Sequence, residues 1–169
     1  MKFPYGIANF NKIREGGFFY VDRTDRIPLI ENSGSQLLLL RPRRFGKSLW
    51  LSTLEHYYDL ALADDFNKLF GGLKISENAT PLRNSYFILK LNFSTVEPRG
   101  DTDAIVASFF HHINISIQNC VSRYQDLLAD RVQIYADDGI ASFQSLLGAV
   151  AQTQYKLYLL VDEYDNFAN

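Results

Sequence analysis

The sequence predicts an α/β fold in which helices pack against a mostly parallel sheet. Three observations carry that expectation. Gln36–Leu40 and Leu157–Val161 are apolar runs without polar alternation, the pattern of strands covered on both faces. Ser85–Phe93 is a further strand-like run between them. The order of elements along the chain is strand, helix, strand, helix, helix, strand, which builds a parallel sheet.

The elements follow from local chemistry. Residues 1–22 are rich in aromatics, among them Phe3, Tyr5, Phe10, Phe18, Phe19 and Tyr20. Gly16 and Gly17 mark a turn, and Phe18–Val21 is a short strand candidate. Asp22 suits the N-cap of a helix over Arg23–Asn32, which tolerates Pro28 in its first turns and ends at Gly34. Gln36–Leu40 then leads through a turn at Arg41–Phe45 into a helix reaching about Leu62. Asp64–Phe70 reads as a short helix broken by Gly71 and Gly72. Beyond the run at Ser85–Phe93, Pro98 to Gly100 is a turn. Asp101 or Thr102 caps a long helix to about Leu128. A further helix spans Ile140–Gln152, a strand covers Lys156–Val161, and Asn166–Asn169 reads as the start of another helix. Residues 1–34 are thus expected to precede a core domain at 35–169.

Composition narrows the function. The chain has 169 residues, 47% hydrophobic and 21% charged, which suits one globular domain with a real core. A net charge of −2 gives no whole-chain argument for nucleic acid. The single cysteine, Cys120, excludes an internal disulfide framework and suits a reducing compartment. The N-terminus lacks an apolar signal core, and no apolar run approaches the ~20 residues that span a bilayer. Asn78, Asn92 and Asn114 fit the glycosylation pattern, which without a secretion signal is coincidence.

The stretch that carries chemistry is Gln36 to Ser52. A buried strand, a tight turn and then Gly46-Lys47-Ser48 at a helix start is the setting of a phosphate-binding loop. The helix end offers unpaired N–H groups and partial positive charge to an anion. Gly46 lets the backbone approach it, Lys47 reaches terminal phosphates, and Ser48 suits a magnesium ion. The usual first glycine of that loop would fall at Arg41. The second half of the site is Asp162-Glu163, two carboxylates at the end of an apolar strand. An Asp there holds magnesium, and a following Glu polarises an attacking water. Arg41, Arg43 and Arg44 suit phosphate contact better than nucleic acid, since no long basic face accompanies them. Adjacent His111 and His112 point different ways on a helix and form no helical ligand pair. His56, Cys120, Tyr57, Tyr58, Phe109 and Phe110 are read as packing residues.

Three stretches together resemble a known family. They are Arg-Pro-Arg-Arg-Phe-Gly-Lys-Ser-Leu at 41–49, Phe-Tyr-Val-Asp-Arg-Thr at 19–24 and Leu-Val-Asp-Glu-Tyr-Asp at 160–165. Lys-Ile-Arg-Glu-Gly-Gly at 12–17 adds to the likeness. The chain resembles the bacterial AAA-ATPase-like proteins, which often carry a nuclease-superfamily domain of the PD-(D/E)xK type further along. That family itself has an arginine where the first glycine of the loop is usual. The resemblance implies ATP with magnesium, a three-layer α/β/α P-loop NTPase fold and a cytoplasmic setting. It implies nucleotide contacts from Arg43, Arg44, Phe45, Gly46, Lys47, Ser48 and Leu49, and magnesium at Ser48 and Asp162. Glu163 becomes the catalytic base. Tyr20 to Thr24 stands where related ATPases place a base-binding segment, with Asp22 in place of a glycine, so Val21 and Asp22 join the nucleotide set.

The chain stops at Asn169, soon after the second motif. The strand expected between the two motif strands, its sensor residue, an arginine finger and the nuclease domain are all absent from the sequence. An N-terminal fragment with a sheet incomplete at its C-terminal side is therefore expected, with self-association through open edges as one consequence. The function expected is Mg-ATP binding with hydrolysis in the intact protein. The alternative is a nucleotide-binding or protein-interaction module without turnover.

Overall fold

The computed structural model describes residues 1–40, 42, 44–97 and 100–164. The fold is mixed α/β, and its backbone contacts divide it into two compact units, Met1–Asn84 and Ser85–Asn169.

The first unit is helical among its described residues. Its helices are α1 (Phe10–Glu15), α2 (Ile27–Asn32), α3 (Lys47–Tyr58), α4 (Phe66–Phe70) and α5 (Lys74–Glu77). Each short helix is held by a specific contact, because helices this short do not persist alone. Asn9 caps α1 by accepting from the Lys12 amide at 2.8 Å. The Phe10 amide, an orphan donor of the first turn, is buried and donates to Ser52 Oγ on α3 at 3.0 Å. Arg14 donates to the carbonyls of Leu69 and Gly71 at 2.6 and 2.8 Å, closing the C-terminal end of α4 with a cation where the helix dipole favours one. The core between these helices is aromatic. Phe10 meets Phe70 with ring centroids 4.8 Å apart, and Tyr57 meets Tyr58 and Phe70 edge-on at 5.1 and 5.5 Å. Phe10, Tyr57, Tyr58 and Phe70 are all buried, as a packing role for Tyr57 and Tyr58 requires. Their polar tips are satisfied. Tyr58 donates to Glu31 at 3.1 Å, and the Tyr57 hydroxyl accepts from the Thr80 amide at 2.8 Å.

The second unit holds the sheet. Strands β1 (Tyr86–Asn92) and β2 (Lys156–Asp162) pair in parallel, with Tyr86 opposite Lys156 and Asn92 opposite Asp162. Between them run α6 (Thr102–Arg123), α7 (Gln125–Leu128) and α8 (Gly139–Ala151), as a parallel connection demands. Asp101 caps α6 through the Ala104 amide at 2.9 Å, and Asp138 caps α8 through the Ile140 and Ala141 amides. The Ile88 amide of β1 donates to the Tyr124 hydroxyl at 2.9 Å in a buried position. Gly139 has to be small, since a Cβ there would stand 3.1 Å from the Phe110 backbone on α6. Asn114 is buried and its amide donates to the carbonyls of Tyr135 and Ala136, so it serves a loop and not a glycan.

The two strand expectations inside the first unit are corrected. Gln36–Leu40 forms no strand and is unpaired among the described residues, and Leu37, Leu38 and Leu40 are 50%, 67% and 71% exposed. A leucine run is a buried strand only when neighbours fill its edges and helices cover its faces, and the described sheet is the β1–β2 pair. Phe18–Val21 is no strand either. The Phe18 amide donates to the Ile13 carbonyl at 3.1 Å, behind α1, and the Phe19 amide donates to the distant Lys2 carbonyl at 2.7 Å, and neither bond belongs to a ladder. Strand β2 is less covered than expected. Leu160 is buried, while Leu159 is 45% exposed. The expected helix at Asn166–Asn169 and the turn residues Pro98 and Arg99 lie outside the described residues.

Candidate functional site

The site begins where α3 begins. Gly46 is its N-cap in the left-handed region, φ 77° and ψ 25°. Arg44 also has positive φ, 66°, and Phe45 between them does not. Alternation of backbone hand in successive residues turns their N–H groups toward a common point, a concavity suited to anions. The first N–H groups of α3 lack intrahelical acceptors by helix geometry. No side chain caps this end, and its first turn holds no acidic residue. Lys47 is half-buried and pairs with no carboxylate among the described residues. The loop end of α3 is thus a positive terminus without a protein anion. Arg41 and Arg43 lie outside the described residues.

Gly46 fixes this geometry, and its replacement has a calculable cost. A Cβ there would meet nothing within 4 Å, so the penalty is the left-handed backbone itself, about 1–2 kcal/mol for an L-residue. Gly148 also has open space around it but sits inside α8 without positive φ. Gly148→Ala is therefore expected to stabilise by about 0.5–1 kcal/mol while Gly46→Ala destabilises. Urea midpoints of the two variants give opposite signs if this reading is right.

Beside the loop lies a cleft of about 260 Å³ within the first unit. Phe45, Gly46, Leu49, Trp50 and Thr53 form one wall, and Phe19, Tyr20, Val21 and Arg23 form another. Gly46, Leu49, Trp50 and Thr53 are spaced as one face of a helix. Trp50 and Thr53 were missed in the sequence, although that spacing, counted from the Gly46 cap, is the signal that finds them; Pro4 and Phe19 had none. The cleft brings together Val21 with Phe45, Gly46 and Leu49, which the sequence placed in the same nucleotide set. Tyr20 donates to or accepts from Thr53 Oγ1 at 3.2 Å, tying the walls together, and its burial pushes the phenol pKa up.

Asp22 has a different occupation. Its Oδ1 accepts from the Thr24 amide at 2.9 Å and the Thr24 hydroxyl at 2.7 Å, and its Oδ2 accepts from the Lys74 amide at 2.7 Å. Burial works against this carboxylate. The Lys74 and Thr24 amides, with the Thr24 hydroxyl and the Lys74 charge, outweigh it and hold Asp22 below the ordinary carboxylate range. The side chain faces α5, and Asp22 is absent from the lining of the cleft.

The acidic pair stands in the second unit. Asp162 ends β2, is 7% exposed and accepts the Glu163 amide at 3.1 Å. Glu163 is exposed and takes φ 54°, an unusual backbone for a residue with a side chain and one that costs energy. Among the described residues no group of three or more His, Cys, Asp or Glu side chains gathers as a metal cluster. Magnesium does not need one, since it takes one or two protein oxygens and fills the rest with phosphate and water. The buried Asp162 carboxylate offers oxygens of the right chemistry. His112 touches Thr95 Oγ1 at 3.2 Å through Nδ1, and burial with neighbouring His111 pushes its pKa down.

A family model described as a predicted AAA-ATPase matches residues 4–169. A protein of Azotobacter chroococcum mcd 1, titled an uncharacterized protein in the vnfD 5′ region, is 48% identical over 58 residues. That stretch is 34% of this chain and 11% of the relative. No solved structure matches. No helix among the described residues is long and apolar enough to cross a membrane.

Proposed function

Because the chain belongs to the AAA-ATPase-like family, whose model covers residues 4–169, we propose that it binds Mg-ATP and that the intact protein hydrolyses it. One observation supports this most: α3 opens on left-handed Gly46, uncapped and without acids, beside the Phe45–Val21 cleft. Arg43, Arg44 and the amides from Phe45 to Leu49 take the phosphates, and the Lys47 ammonium neutralises the terminal ones. The base lies in the cleft against Val21. The backbone at Asp22 supports this wall.

Ser48 and Asp162 are the protein oxygens that would hold magnesium, which would supply positive charge to offset that on the transferring group. Glu163 accepts a proton from the attacking water and orients it toward the terminal phosphorus. The three-layer P-loop architecture is part of the same proposal for the intact protein.

Removal of the metal tests the reading. In equilibrium dialysis against labelled ATP, the chain is expected to retain nucleotide with magnesium present and to lose most of it in EDTA. Equal retention in EDTA contradicts the roles of Ser48 and Asp162. No retention in either buffer contradicts nucleotide binding itself. Retention without phosphate release selects the binding module over the ATPase.

A further inference from the structure

We infer that Asp22 and Thr24 are positioning residues that hold the cleft wall from behind and so determine how firmly the base of a bound nucleotide is gripped. The inference rests on the nucleotide reading above and concerns its base subsite.

Val21 and Arg23 line the cleft. Their chain neighbours Asp22 and Thr24 bond to the start of α5 and are absent from that lining, so residues that meet a ligand sit beside residues that anchor the wall. The anchor is a double one. Asp22 Oδ2 takes the Lys74 amide and Thr24 Oγ1 takes the Ile75 amide at 3.1 Å. These are successive orphan donors at the start of a helix, and the two acceptors are themselves joined by the 2.7 Å hydroxyl–carboxylate bond. Thr24 is wholly buried. Val21 and Arg23 therefore move only if α5 loses its cap or a buried hydroxyl loses its partners, and both changes are costly. A side chain at Asp22 that packed into the cleft would give up this anchor. A glycine there would have no anchor to give.

The chemistry of the wall suits a base and not a phosphate. It presents Phe19, Tyr20, Val21 and Arg23, among which the aromatic rings and the guanidinium stack on a π face. The triphosphate end of a nucleotide is the task of the α3 terminus. Inorganic tripolyphosphate carries the phosphates without a base, so it separates the two halves of the site.

The test is calorimetry of the intact chain with Mg-ATP and with Mg-tripolyphosphate. The wild type is expected to hold ATP more tightly than tripolyphosphate. Asp22→Ala is expected to weaken ATP about ten-fold, the equivalent of a lost hydrogen bond, and to leave tripolyphosphate unchanged. Thr24→Ser, which keeps the hydroxyl, retains ATP affinity; Thr24→Val loses it as Asp22→Ala does. Asp22→Asn is the milder variant should Asp22→Ala fail to fold. With its oxygen kept on Thr24, it turns an N–H₂ toward the Lys74 amide, donor against donor, and ATP affinity falls while the shape is conserved. Equal weakening of both anions by Asp22→Asn, or of neither, overturns the inference. A wild type that binds both anions with equal affinity also overturns it and leaves the phosphate site standing. A wild type that binds neither overturns the nucleotide reading as well.

Discussion

Glu163→Gln is expected to abolish magnesium-dependent phosphate release by the intact protein while Mg-ATP stays bound. Glutamine keeps the length and shape of the side chain and removes the carboxylate that takes a proton from water. General-base catalysis of that kind contributes about 10²–10⁴-fold in rate. The substitution leaves the rest of the site in place. Glu163 is exposed, lies beyond the last residue of β2 and contributes its backbone amide, not its side chain, to the bond with Asp162. Folding and nucleotide affinity therefore change little. Single-turnover phosphate release and nucleotide binding, measured together on the full-length protein, decide it. A glutamine variant with wild-type release removes Glu163 from the chemistry. A variant that also loses binding makes it a structural residue.

Lys47→Ala has the largest expected effect on binding. The Lys47 ammonium is half-buried at the first turn of α3 and pairs with no carboxylate among the described residues. In the nucleotide complex it makes charge-assisted hydrogen bonds to phosphate oxygens, each worth about 1.5–3 kcal/mol. With two such contacts the loss is of order 10² to 10⁴ in affinity. The free protein is expected to be insensitive to the change, because no partner is stranded when the ammonium goes. Alanine is also a better helix former than lysine. Loss of binding without loss of stability is thus the signature of a ligand residue, whereas parallel loss of both assigns Lys47 to the fold.

Two helix ends were legible from local residues, whereas Asp22 caps no α-helix: α2 begins at Ile27, after a 3-10 turn at Thr24–Arg26. Asp101 and the break after Gly71 are sequence features with one local meaning each, and α6 and α4 end or begin where those residues dictate. The runs at Ser85–Phe93 and Lys156–Val161 became β1 and β2 because each supplies the other's ladder. Leu37–Leu40 has the same composition and lies unpaired, since leucine content reports a demand for burial and not the presence of a partner strand. The helical start at Gly46 was legible because only glycine adopts a left-handed cap at no cost.

The cleft was legible only in part. Val21, Phe45, Gly46 and Leu49 stand in two recognisable segments, while Trp50 and Thr53 were missed although the helical spacing of α3 reaches them. Pro4 owes its place to the turn closed on its own carbonyl, and Phe19 to the long-range bond from its amide to the Lys2 carbonyl, which no local pattern announces. Asp22 illustrates the limit most clearly. Its position next to Val21 suggested a ligand contact, but its partner is the Lys74 amide, 52 residues along the chain. Long-range pairing of a carboxylate with a backbone donor leaves no periodic trace in a sequence.

The measurement that tests the account most directly is titration calorimetry of Mg-ATP into the purified chain and into its Lys47→Ala variant. The account predicts saturable one-site binding by the wild type and a loss of at least about 10²-fold in the variant, with unchanged unfolding midpoints for both. A well-folded wild type that takes up no Mg-ATP, or a variant that binds as tightly as the wild type, contradicts the account.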